Sequence, residues 1–162
     1  MKDRLIVGVD PGLHGAFAVI DAYSGDLVAV EDRPVIGRHV NSAQVAALLH
    51  GWATIGDCRV VLEDVHSMPG NGHVGAFSFG RSKGVVEGCV AAAHMPIALV
   101  SPARWKRDSG LRADKDASRQ LATNTWPTWS DAFKRKKDDG RAEAALLALW
   151  GRAHGEVWGV AA

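Results

Sequence analysis

Cysteine is scarce in this chain: 162 residues hold only Cys58 and Cys89, and no CxxC pair. That leaves neither a disulfide framework nor a thiolate zinc site. Both cysteines lie on or beside apolar segments, where buried free thiols in a reducing compartment are expected. Seven histidines form no HxxxH pair and have no cysteine partner in metal-ligand spacing. No apolar run approaches the roughly 20 residues that span a bilayer. The N-terminus has no signal-peptide pattern, so the expectation is a cytoplasmic, non-membrane protein. Internal repeats, low-complexity tracts and linker-like stretches are also missing. A single domain over 1–162 is expected, long enough to bury a core without cross-links.

Charge is nearly balanced, with a formal net of +1, so the molecule as a whole is not a polycation. The cations are nevertheless gathered. Lys134-Arg135-Lys136-Lys137 runs directly into Asp138 and Asp139, and Arg104, Lys106, Arg107, Arg112, Lys115 and Arg119 precede it. Acids for metals, flanked by cations for backbone phosphates, are what a metal-dependent enzyme acting on nucleic acid needs. A solvated helix face is the plainer reading of a KRKK run.

Strands are expected at residues 4–10, 16–20, 26–31, 59–63 and 97–100. Pro11-Gly12 and Gly15 mark a tight turn after the first, and short links make the first three an antiparallel meander. Helices are expected at 42–52, capped by Ser42, and at 74–93, 102–107, 114–124 and 139–152. Met68 to Gly72 reads as loop. Gly75, Gly80, Gly84 and Gly88 recur along the 74–93 helix. They weaken it, by about 1 kcal/mol each, and suggest close backbone approach to the sheet, another helix or a polyanion. Three meander strands followed by alternating helices and strands give an α/β fold: a five-stranded mixed sheet with helices on both faces.

Four acids stand where chemistry would need them. Asp10 ends the apolar run Leu5-Ile6-Val7-Gly8-Val9, and Glu63 ends Val60-Val61-Leu62. A strand that ends in a carboxylate carries it to the rim of the sheet. Asp139 and Glu143 are four apart at the start of the last helix and share a face, whereas Asp138 points away and is placed to cap. Such an all-oxygen set suits Mg²⁺ or Mn²⁺. Each acid also has a structural explanation: a turn cap at Asp10, an ion pair at Glu63, the helix dipole at 138–143.

Taken together, these features resemble the RuvC-type Holliday junction resolvases of the RNase H-like superfamily, most of all their phage and prophage branch. The stretches GVDPGLHGAFAVID, VVLEDVHSMPGNG, SFGRSKGVVEG, VSPARWK, DKDAS and KRKKDDGRAEAALLALWG carry the resemblance over nearly the whole chain. It implies metal ligands and catalytic acids at Asp10, Glu63, Asp139 and Glu143, and two Mg²⁺ per site, with Mn²⁺ as a substitute. It further implies a homodimer that binds four-way junctions or other branched DNA, in a bacterial or phage-infected cell. Cleavage would leave 5′-phosphate and 3′-hydroxyl ends. DNA contacts would fall on His66, Arg81, Lys83 and Lys106, and on Lys134, Arg135, Lys136 and Lys137 of the basic run, with Trp105 in the core. The 75–93 helix would be the dimer surface. One departure stands out: housekeeping members carry two aspartates three apart in the last helix, whereas here an Asp and a Glu are four apart. Other readings are a ribonuclease acting on RNA–DNA hybrids and a silent branched-DNA binder. Asp10-Pro11-Gly12-x-x-Gly15 also resembles the phosphate loop of sugar kinases and actin-like ATPases, but 162 residues leave no room for their second lobe.

Overall fold

A computed structural model describes residues 2–12, 14–66, 72–111 and 115–155. Most of the expected 68–72 loop lies outside them, as does Arg112. Strand β1 (Asp3–Asp10) pairs antiparallel with β2 (Ala16–Asp21), and β2 with β3 (Leu27–Asp32). The chain then makes a short ribbon, β4 (Val35–Ile36) with β5 (His39–Val40), before helix α1 (Ser42–Ile55). Strand β6 (Gly56–Glu63) returns beside β1 and parallel to it. Helix α2 (His73–Ala92) leads to β7 (Ile97–Val100), parallel to β6. Helices α3 (Pro102–Asp108), α4 (Lys115–Thr125) and α5 (Asp139–His154) complete the order, with 3₁₀ turns at Pro127–Phe133 and Lys136–Asp138 between the last two. The main sheet runs β3-β2-β1-β6-β7.

The expected five-stranded mixed sheet with its meander is present. The β4–β5 ribbon was not foreseen: two residues per strand are too few to show a period of two. Ser42 is not the cap of α1. Asn41 holds the extended cap conformation and its side chain accepts from the Gln44 amide at 3.2 Å.

Side chains alternate along the strands, so the sheet has two cores. Leu5, Val7, Val9, Phe17, Val60 and Leu62 pack with Val45, Leu49 and Trp52 of α1 and Val86 and Val90 of α2. Ile6, Ala18, Ile20, Val61 and Val100 face the other way, onto Trp105, Ala122 and the apolar side of α5. Each core has its own helices, as the two-faced pattern requires.

Helix α5 packs directly onto β1. A Cβ added to Gly8 would lie 1.9 Å from the Ala144 carbonyl oxygen and 2.7 Å from the Ala148 amide nitrogen. Only glycine lets the helix backbone settle directly on the strand. One turn earlier, a Cβ on Gly140 would lie 2.2 Å from the His14 carbonyl oxygen. Two small residues therefore fix how the start of α5 meets the turn after β1.

Candidate active site

Strand alternation decides which way the acids point. Asp10 follows Ile6 and Gly8 on the α5 side of β1, and Glu63 follows Val61 on the same side of β6. The two strands are parallel neighbours whose register reaches Val9 opposite Leu62. Asp10 and Glu63 come one step further along, at the same edge. Glu143 precedes Ala144, the residue seated on Gly8, so α5 brings it over that edge.

Electrostatics record the convergence. Asp10 is pushed up to about 6, chiefly by burial; the Gly12 amide, donating to Oδ1 at 2.8 Å, opposes this, and the negative charges of Glu143 and Asp139 add to it. Glu63, 5% exposed, is pushed up to about 7 by burial, then by Asp10 and Glu143. Like charges held this close out of water disfavour their own ionisation. Asp10 and Glu63 carry the shift; the Glu143 charge acts on both and the Asp139 charge on Asp10.

Each carboxylate is held by a protein donor. The Trp105 indole Nε1 donates to Glu63 Oε1 at 2.8 Å, and Lys106 Nζ donates to Glu143 Oε1 at 2.7 Å. Trp105 was expected simply in the core. It is fully buried there, and it also orients an acid. Burial pulls the Lys106 ammonium down, but its bond to Glu143 and the nearby Glu63 and Asp10 charges leave it raised overall. A cation is thus already stabilised among three carboxylates. As placed, no three His, Cys, Asp or Glu side chains among the described residues close tightly enough around one point to hold a metal. The donor chemistry still fits a hard divalent ion: only carboxylate oxygens, mutually repelling, at a sheet rim.

Sequence reasoning missed Arg33. It is 5% exposed, its Nη1 donates to the Pro11 carbonyl at 3.0 Å, and its amide donates to the Gly15 carbonyl at 2.9 Å. It therefore braces the Asp10 turn from behind. Burial lowers its pKa and the Asp10 charge opposes that. A lone arginine before a proline gives no sequence signal of this.

The expected DNA contacts fall in separate places. His66 is exposed beside Asp64, Nε2 to Oδ2 3.6 Å. Lys83 is tied to Asp64 and lies 3.7 Å from Glu87, which braces α2 against the end of β6. Arg81 is exposed, with Nη1 3.3 Å from His39 Nδ1. Lys134, Arg135, Lys136 and Lys137 are all exposed, yet Arg135 is committed to Asp138 through its amide, Nε and Nη2. Asp138 occupies the α5 cap position, but its side chain turns back to Arg135 instead of bonding the helix amides. Trp126 is core, packed on Phe133 and donating to the Gly25 carbonyl.

The architecture is an RNase H-like α/β fold, in the form found in RuvC. Thermus thermophilus RuvC in complex with a Holliday junction substrate superposes with a TM-score of 0.70 at 17% identity, covering 93% of this chain and 96% of that one. The fowlpox virus Holliday junction resolvase gives a TM-score of 0.59 at 19% identity, over 93% of this chain and 99% of that one. In sequence, the chain is 34% identical over 120 residues to the chloroplastic Holliday junction resolvase MOC1 of Chlamydomonas reinhardtii. That match takes in 70% of this chain and 13% of that much longer protein. No family model matches the chain. No helix among the described residues is long and apolar enough to cross a membrane.

Proposed function

We propose that this chain is a structure-selective DNA endonuclease that resolves four-way junctions or related branched DNA by divalent-metal-dependent phosphodiester hydrolysis. The observation that carries the reading is the convergence of Asp10, Glu63 and Glu143 on one sheet rim, with Lys106 among them. The similarity to three junction resolvases supports it.

Asp10, Glu63, Glu143 and Asp139 would hold two Mg²⁺, or Mn²⁺ in their place. Ions held there would supply Lewis-acid chemistry, activating a water and neutralising charge on the attacked phosphate. The products are then 5′-phosphate and 3′-hydroxyl ends. The protein's own part is positioning. Trp105 fixes the rotamer of Glu63, the Gly12 amide fixes Asp10, and Arg33 braces the turn after Asp10. Lys106 brings positive charge to the same rim, where a phosphodiester would arrive. No serine or cysteine is needed as nucleophile.

His66, Arg81, Lys83 and the 134–137 run are proposed to contact DNA around this rim. Lys83 must leave or share Asp64 to do so. Two-fold symmetry of a four-way junction calls for two sites related by a dyad, so a homodimer belongs to this reading, as does a single nuclease domain over 1–162. A bacterial or phage-infected cell remains the proposed setting, although the sequence relative is chloroplastic.

The test is a cleavage panel of four-way junction, fork, flap, linear duplex and RNA–DNA hybrid, with Mg²⁺, Mn²⁺ or EDTA. Wild type is run beside Asp10→Asn and Glu63→Gln. Paired symmetric nicks in the junction, lost in EDTA and lowered by on the order of 10³-fold or more in either variant with binding retained, are expected. Cutting of the hybrid alone would replace the reading with a ribonuclease H. Junction binding without any cleavage would replace it with a silent binder.

A further inference from the structure

The β4–β5 ribbon is absorbed neither by the sheet nor by the catalytic rim, and its surface chemistry is distinctive. Val35 pairs with Val40 and Ile36 with His39, so Gly37 and Arg38 form a two-residue link. Gly37 has φ +61°, the corner such a link demands. Arg38 is thereby placed at the tip of a hairpin instead of on a loose loop. Val35, Ile36, Arg38 and His39 are all exposed. Strand β5 rests on α2, where Arg81 meets His39.

The surrounding sequence carries no opposing charge. There is no Asp or Glu between Asp32 and Asp57, nor between Asp64 and Glu87. The bordering carboxylates Asp32 and Asp64 are each paired, with Arg141 and Lys83. The base of the ribbon lies near the turn after β1: Val35 and Arg33 line a cavity of about 200 Å³ together with His14, Gly15, Lys137 and two acids, Asp32 and Asp138, that are paired with Arg141 and Arg135. Arg33 in turn holds the Asp10 turn.

We infer that the β4–β5 ribbon, with Arg38 and His39 beside Arg81 of α2, is a contact for the phosphate backbone of a duplex arm leading away from the cleavage site. This rests on the branched-DNA reading above and adds a footprint to it. A hairpin tip bearing Arg38 and His39 beside Arg81, whose bordering carboxylates Asp32, Asp64 and Asp138 are each paired with a cation, fits a polyanion, and exposed Val35 and Ile36 can lie along deoxyribose. Phosphate contact carries no sequence information, so the ribbon would set register and affinity and leave cut-site choice unchanged.

The experiment measures anisotropy of labelled four-way junction and linear duplex across a salt series in EDTA, with sedimentation and thermal melting alongside. The proteins are wild type, the double variant Arg38→Ala with His39→Ala, and Arg38→Glu. The double variant should lose roughly tenfold in junction affinity, and the slope of log K against log salt should fall by about 1–2. Arg38→Glu should lose more. All three should melt within about 0.5 kcal/mol of one another, because Arg38 and His39 are exposed and the Arg81–His39 contact lies at the surface. Unchanged affinity and slope in both variants, with wild type binding well, would overturn the ribbon's role alone. Affinity lost only in step with a shift from dimer to monomer would assign the face to a second copy of the chain instead. Failure of wild type to bind branched DNA would overturn the functional reading itself, and the ribbon's role with it.

Discussion

Helices α5 and α2 both meet the sheet, and both regions use glycine, to opposite ends. At the α5–β1 contact, Gly8 and Gly140 are crowded: any side chain would strike backbone. Along α2, a Cβ at Gly75, Gly80, Gly84 or Gly88 would meet nothing within 4 Å. Glycine in a sequence is a permission for close approach. The first region uses it within the chain, to bring Glu143 over Asp10. In the second nothing among the described residues uses it, which leaves an open backbone face beside the proposed DNA ribbon.

The sharpest way to break this comparison is Gly8→Ala. It should cost more than about 3 kcal/mol or abolish folding, since the obstacles are backbone atoms that cannot swing aside. A denaturant melt with a loss below 1 kcal/mol would show that α5 can lift off β1 cheaply. The acids of the same region come next. Glu63 and Asp10 have raised folded pKa values, about 7 and 6. Their favourable contribution is therefore full below the unfolded range near 4 and lost as pH rises through 6–7. The metal-free protein should be less stable at pH 8 than at pH 5 by about 2 kcal/mol, or roughly 4–8 °C in Tm. Glu63→Gln should flatten that dependence, and Mg²⁺ at pH 8 should offset it in the wild type. A metal-free Tm that rises steadily from pH 5 to 8 would contradict the crowded-acid picture.

On the α2 side, Gly80→Ala or Gly84→Ala should stabilise the free protein by about 0.5–1 kcal/mol. If the open face serves a partner, the same changes should weaken that association. Stabilisation without any loss of junction binding or self-association would leave the face without a partner. The smallest effect is expected at the basic run. Alanine at Lys134, Lys136 and Lys137 should weaken all DNA shapes alike and lower the salt slope, with stability within about 0.5 kcal/mol. Arg135 is spared because its bonds to Asp138 are structural.

Much of this was legible in the chain. Apolar runs ending in Asp10 and Glu63 announce strands with acids at their ends, and the 139–143 spacing announces a shared helical face. Alternation alone then decides that both strand acids face α5, once the strands are known to be neighbours. What stayed hidden depends on contacts distant in sequence. Nothing local distinguishes Gly8 from Gly84. Trp105 looks like any buried indole until Glu63, forty-two residues earlier, accepts its hydrogen bond. Arg33 is one cation among many until the turn at Pro11 closes on it. The ribbon is too short to have a period. Ser42 was misassigned as the α1 cap because the neighbouring Asn41 competes for the same position and only the backbone torsions decide, while Asp138 does take the α5 cap position but turns its side chain to Arg135.

The Trp105–Glu63 hydrogen bond also makes the site visible to light. An indole whose N–H is bonded to a carboxylate emits according to the charge and orientation of that carboxylate. Displacement of Glu63 from Nε1, as by the divalent ion proposed to bind there, should change Trp105 fluorescence, checked by titrating Mg²⁺ into the metal-free protein. Trp105→Phe would subtract that signal from those of the five other tryptophans. The residue that orients the acid would thus serve as its native probe, by which the proposed ion loading is followed without DNA or turnover.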